Sequence, residues 1–228
     1  MRNIISSVRF MLLWVVSSVF SLFTILIVSV ILVAIFGVIG GILWVARQHT
    51  PTLMEVIIFN TILYTIIGIV MGLLLGVSQQ YLIRLKSGEA FRGWVLASTI
   101  GSVIGANATF YVLAHQIAEF SFTNLPPKEM LIFYAFELVL IPLLCLSFVQ
   151  MLVLWQYVRG VWTWVVAHLV GGLVLVSLVA AGLTHITNIA VASTLYGTLL
   201  LLFVSAVPGI ITGFTMLWLL LFNAHVRE

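Results

Sequence analysis

From Phe10 to Ala46 the chain runs for 37 residues without one charged side chain. As a helix this run extends about 55 Å, whereas the hydrocarbon core of a bilayer is about 30 Å thick. It exceeds one perpendicular crossing, so part of it must tilt, project, or lie along the inner interface. Arg2, Ser6 and Arg9 share one helical face just ahead of it, which suits first turns lying in the interface. The run is too long for the apolar core of a cleavable leader and lacks a clean small-x-small cleavage site, so it is expected to stay as an anchor. The remainder of the chain agrees with a membrane class. It is 63% hydrophobic and 7% charged, against roughly a quarter charged in soluble domains. So little charge cannot cover a surface exposed to water.

The expected fold is all-α and integral to the membrane, with six spans in a single domain. Their approximate bounds are 14–46, 53–83, 93–118, 130–157, 162–184 and 189–222. Arg47–Pro51 ends the first span, because a proline disfavours helix in the residue before it. Pro126 and Pro127 separate the third from the fourth. Short turns at Arg159–Trp162 and His185–Asn188 suit antiparallel neighbours. Lysine and arginine set the orientation. With the N-terminus inside, Arg2, Arg9, Arg84, Lys86, Arg92, Arg159 and Arg227 lie at inner ends, and only Arg47 and Lys128 at outer ones. Seven against two predicts both termini in the cytoplasm, and an inner, plasma-type membrane is the expected location. The net charge of +3 belongs to these loops and does not call for a nucleic-acid partner. Cys145 is the only cysteine, so no disulfide within the chain is possible.

The segment Gly76–Gly101 concentrates polar residues between two spans. Arg84 to Arg92 reads as the inner loop, with Trp94 as its interfacial anchor; Gln80 is left over. A shift of 70 residues brings Gln80 onto Gln150, Leu82 onto Leu152, Trp94 onto Trp164, Val95 onto Val165, Ala97 onto Ala167 and Gly101 onto Gly171. A third copy is split across the termini. Trp14-Val15 precedes Ser17 and Ser21, and Gly209 and Gly213 match Gly72 and Gly76, with Leu217 in the glutamine's place. The chain thus reads as two or three parallel helical hairpins: 53–118, 130–184, and 189–222 with 14–46. Their pseudo-symmetry axis would follow the membrane normal. The threefold version requires Trp14, Trp94 and Trp164, the repeat's interfacial tryptophans, to lie at one depth.

Small residues recur at the four-residue spacing that lets helix backbones touch. Gly68, Gly72 and Gly76 form one stripe, Ala97, Gly101 and Gly105 another, and Gly37/Gly41 and Gly209/Gly213 further pairs. Such glycine-zipper faces drive close helix contact in lipid, here between helices of one chain or at a subunit interface. Pro142 and Pro208 stand where kinks are expected.

The pattern Gly76-Val-Ser-Gln-Gln-Tyr-Leu-Ile-Arg84 followed by Trp94-Val-Leu-Ala97 resembles a set of uncharacterised bacterial polytopic membrane proteins that carry this hairpin two or three times. The resemblance spans most of the chain and implies a fold without an activity. Two departures stand out: Trp155 lies near the place of the arginine in the second copy, and Leu217 replaces glutamine in the last.

Polar groups at membrane depth are costly, so each merits a role. Gln80 and Gln150 are read as helix–helix glue, or else as the lining of an inner vestibule. Glu137 is the one acid well inside a span, a proton or cation site or a group bonded to a neighbour. Asn60 and Asn107 can bridge helices, and His168 lies in the inner half of its span. His49, His115 and His185 map toward the outer side. His115 and His185 are the pair that a haem or pigment would have to use. No metal site is expected, since no histidines stand four apart and there is no cysteine cluster. The sequence holds no nucleophile elbow, His-Glu-x-x-His or phosphate-binding loop. A non-catalytic accessory or scaffold subunit of a larger membrane complex is therefore expected, with no cofactor and with lipid and other membrane subunits as partners. The alternative is a small-solute or ion transporter with its polar site between the repeats. Convergence of Gln80, Gln150, Asn107 and Glu137 on one cavity would mark the transporter. Pairwise satisfaction of those groups, with an open glycine or aromatic face, would mark the scaffold.

Overall fold

The computed structural model describes residues 2–46, 51–118, 128–185 and 195–222. They form six helices: α1 (Arg2–Ala46), α2 (Leu53–Ser87), α3 (Trp94–Ala118), α4 (Lys128–Leu154), α5 (Trp162–His185) and α6 (Leu195–Phe222). No strand occurs among the described residues. By length and composition, three described segments are apolar enough to cross a membrane: Ser6–Leu43, Leu53–Ser87 and Trp94–Val112. Shorter apolar stretches follow at Val139–Leu154, Trp162–Leu178 and Ala206–Phe222. Each helix packs on its neighbours in sequence, and α1 packs on α6. The six therefore close into a ring.

Local chemistry fixes the helix ends. Thr52 starts α2 with a reciprocal cap: its hydroxyl accepts from the Glu55 N–H at 3.3 Å, and its own N–H donates to the Glu55 carboxylate at 2.8 Å. Gly88 ends α2 at φ 79°, a left-handed geometry that glycine adopts without a Cβ penalty, and its N–H donates to the Arg84 carbonyl. Pro142 and Pro208 lie inside α4 and α6, and neither ends its helix.

Glycines set the helix spacing. A Cβ built on Gly68 would come within 2.6 Å of Val103 Cα, and one on Gly72 within 2.3 Å of Thr99 Cα. On Gly76 it would come within 2.9 Å of Val95 Cα. The α2 stripe thus lies directly on the α3 backbone for three turns. Gly101 and Gly105 do the same against Leu146 and Pro142 of α4, and Gly171 meets Pro208 of α6. Gly209 and Gly213 seat Ser18 and Trp14 of α1. Ala97 is buried beside its stripe. The exception is the Gly37/Gly41 pair, where an added Cβ meets nothing within 4 Å.

The first helix runs unbroken from Arg2 to Ala46. Phe10 and Trp14 are buried in the main core, and that contact holds its first turns on the bundle. Its later part is mostly exposed apolar surface, from Ile27 to Val45.

Candidate functional site

The main core gathers at one end of the ring, and its centre is three indoles. Trp14, Trp94 and Trp164 are fully buried. They come from α1, α3 and α5, alternate members of the ring. Trp164 meets Trp14 edge-on at 6.2 Å between ring centroids and Trp94 at 5.8 Å. The sequence reading of these residues as interfacial anchors is corrected: they point to the middle of the bundle. Three large rings bury far more apolar area against one another than at a bundle's rim. Among the described side chains, the exposed tryptophans are Trp155, Trp162 and Trp218. Around the triad pack Phe10, Phe91, Ile83, Leu154, Met216 and Leu220.

A polar layer lies against the triad. Gln150 is fully buried. Its Nε2 donates to Gln79 Oε1 at 3.2 Å and to Ser98 Oγ at 2.8 Å, and its Oε1 accepts from Trp164 Nε1 at 3.1 Å. One amide thus joins α2, α3, α4 and α5. Trp14 Nε1 donates to Thr212 Oγ1 of α6 at 3.2 Å. Ser21 of α1 and Ser78 of α2 share a bond at 3.4 Å. Three side chains one turn past the tryptophans return to the tryptophan carbonyls. Ser18 donates to Trp14 O at 2.8 Å, Ser98 to Trp94 O at 2.9 Å, and His168 Nδ1 to Trp164 O at 2.9 Å. The carbonyl can only accept, so the proton of a neutral His168 ring sits on Nδ1. Trp94 Nε1 and Ser102 Oγ are buried without a hydrogen-bond partner.

This layer differs from the sequence reading by one residue. Gln79, not Gln80, is buried and enters the network, while Gln80 is half-buried. Fifteen positions separate Gln79 from Trp94, and fourteen separate Gln150 from Trp164. A constant shift through both helices therefore picks the wrong glutamine, because the extra residue lies in the turn. Sequence reasoning also passed over Ser98 and Thr212. The pattern Trp-x-x-x-Ser/His, present at Trp14/Ser18, Trp94/Ser98 and Trp164/His168, was the signal for the stripe beside the indoles.

The other candidates are placed apart from this layer. Asn107 bridges helices as expected, donating to Thr65 Oγ1 of α2 at 3.1 Å and to Val103 O at 2.9 Å. Asn60 does not bridge: its Nδ2 folds back to Val56 O of its own helix at 2.9 Å, a bond always within reach four residues away. Glu137 is half-buried on α4. His185 is the last residue of α5 rather than part of a turn. The side chains of His115 and His185, and the whole of His49, fall outside the described residues, as do Arg47 and Pro126–Pro127. No group of three or more His, Cys, Asp or Glu fit for a metal ion occurs among the described residues.

The turns at this end are joined to one another. Phe91 stacks on Tyr157 at 4.4 Å, and the Tyr157 hydroxyl accepts from the Arg92 N–H at 2.8 Å. The α2–α3 turn is thereby clamped to the α4–α5 turn. No family model, curated protein or solved structure matches this chain.

Proposed function

We propose that the chain is a multi-pass protein of an inner, plasma-type membrane, with both termini cytoplasmic, built from three parallel hairpins around a threefold pseudo-axis. Burial supports the repeat in phase. Buried Leu75, Gly76, Gln79 and Ile83 of α2 correspond to buried Leu146, Ser147, Gln150 and Leu154 at a shift of 71. At a shift of 137 they correspond to buried Thr212, Gly213, Met216 and Leu220. Exposed Val77 correspondingly meets Phe148 and Phe214, and Met71 meets Pro142 and Pro208. The meeting of the three tryptophans supports the same reading.

Within that membrane, the chain acts as a non-catalytic accessory or scaffold subunit of a larger complex. The observation that carries this is the use made of Gln150: both N–H groups and the carbonyl oxygen are bound to other residues of the chain. The Asn107 amide nitrogen is likewise bonded to a different helix, while its Oδ1 is buried without a partner. These polar groups serve as interhelical glue and are not held ready for a solute. The Gly37/Gly41 face of α1, which no part of the described chain covers, offers a partner helix close approach. The test is gentle extraction through a C-terminal tag, followed by mass spectrometry and an absorption spectrum. A stoichiometric membrane partner that Gly37→Leu removes, with the bundle's unfolding unchanged, is the expected result. A solitary, colourless protein, together with solute flux abolished by Glu137→Gln, would replace this reading with the transporter.

A further inference from the structure

A groove of about 210 Å³ opens between the first turns of α1 and the last turns of α2. Its rim carries Arg9 of α1 and Lys86 of α2, and no carboxylate among the described residues lines it. Lys86 is held in place: its Nζ donates to Ser6 Oγ at 2.9 Å and to Ser7 Oγ at 3.1 Å. An ammonium has three N–H donors, so one is left after the two serines. Arg9 follows Ser6 by one helical turn and adds a guanidinium, whose fork suits phosphate oxygens. Away from the rim the groove turns apolar. Phe10 forms its buried floor, and Leu13 and Leu85 are exposed walls.

We propose that this groove binds the phosphate of an anionic phospholipid. The inference rests on the membrane reading above, in which these helix ends lie at the cytoplasmic headgroup level. Basic pockets between helices on that side are suited to anionic head groups. Topology alone accounts for an excess of cations on that side. It does not account for two cations from different helices meeting over one groove, one of them fixed by two hydroxyls. The apolar walls choose between sources of phosphate. A free phosphate ion gains nothing from Leu13 and Leu85, whereas a phospholipid's glycerol and upper acyl chain would cover both.

The experiment places the full chain in nanodiscs of phosphatidylcholine containing a minority of phosphatidylglycerol. Native mass spectrometry then counts the lipids that stay bound on release. Phosphatidylglycerol should be retained above its share of the disc. One basic side chain near a membrane surface corresponds to about five-fold in binding. Arg9→Gln and Lys86→Gln should each lower the enrichment about five-fold, and the double variant about thirty-fold, while Arg9→Lys keeps most of it. Inorganic phosphate should not displace the lipid. Equal retention of both lipids by the unaltered protein would overturn the proposal without recourse to any variant. Displacement by inorganic phosphate would also overturn it, by making this a free-phosphate site. A chain that enters neither this disc nor one of phosphatidylcholine alone would instead refute the membrane placement.

Discussion

Gly72→Ala tests the account of helix spacing most directly. The added Cβ would sit 2.3 Å from Thr99 Cα and 2.6 Å from Ser98 O, and ordinary contact begins at 3.4 Å. The shortfall is about 1 Å, and the obstructing atoms are backbone, which has no rotamer to change. The helices must therefore part. Gly68 and Gly76 lie on the same stripe, a turn to either side, where a Cβ would also come within 3 Å of α3, so the gap opens along the whole stripe. A radial gap of 0.5–1 Å forfeits about a quarter to a half of each dispersion contact. The Asn107–Thr65 bond, now 3.1 Å, would lengthen toward ~4 Å, beyond useful hydrogen-bond range. Overpacking of this kind costs about 1–3 kcal/mol, offset by up to ~1 kcal/mol of alanine's better helix propensity. At Gly37 nothing stands in the way, so Gly37→Ala keeps only the gain.

The assay is reversible unfolding of the detergent-solubilised chain, followed by far-UV circular dichroism. Gly72→Ala should be less stable than Gly37→Ala by about 1–3 kcal/mol, the overpacking cost, because the propensity gain is common to both. Equal stability of the two variants would refute the reasoning. It would mean that α2 and α3 are not in backbone contact at this turn.

Three further outcomes follow from the buried layer, the clamp and the orientation. Trp164→Phe leaves Gln150 Oε1 without its donor and should cost about 1–3 kcal/mol more than Trp94→Phe, which removes an indole N–H that has no partner; unfolding measurements on the pair check it, since both lose the same ring volume. Tyr157→Phe should keep the stack on Phe91 but release the Arg92 N–H, read as faster hydrogen exchange at that amide with helix content unchanged. In a Cys145→Ser background, an impermeant maleimide should label Thr52→Cys from outside intact cells and Ser87→Cys only after the membrane is opened; the reverse pattern would invert the topology.

The sequence was informative where its signals are local. Apolar runs located all six helices, and four-residue glycine spacing located the faces on which they touch, because both depend on the repeat of a single helix. The tryptophans were legible as a set and misread in direction. A tryptophan near a charged loop has the same local signature whether its ring lies among headgroups or inside the bundle. Only the closing of α1 against α6 brings Trp14 to the other two. Gln79 was missed because register passes through a turn, where one inserted residue changes which side chain faces inward. Gly37 and Gly41 share the spacing of the packed glycines, yet they stand open. Spacing indicates that a backbone is approachable, not that anything approaches it.

On the proposed threefold repeat, the same geometry explains why the third hairpin is the faintest in sequence. Each proposed unit must place an indole beside the axis and find an acceptor for its N–H, and the three do so differently. The α4–α5 unit uses a glutamine, Gln150, with oxygen on Trp164 and nitrogen spread over Gln79 and Ser98. The α6–α1 unit uses a hydroxyl one turn earlier, Thr212 on Trp14. The glutamine position then needs no polar group, and Met216 fills it within the apolar core. The α2–α3 unit has a glutamine, but Gln79 gives its oxygen to Gln150, and Trp94 goes without. A buried unpaired donor costs about 1–3 kcal/mol, and that cost falls in the unit with the tightest glycine contact. In the proposed threefold repeat, symmetry of shape is thus kept by glycine, tryptophan and burial, while the hydrogen bonding of the three indoles is asymmetric. Around a narrow axis three identical glutamines would compete for the same space, and one amide bonded to three helices satisfies more groups than three copies of a single pair.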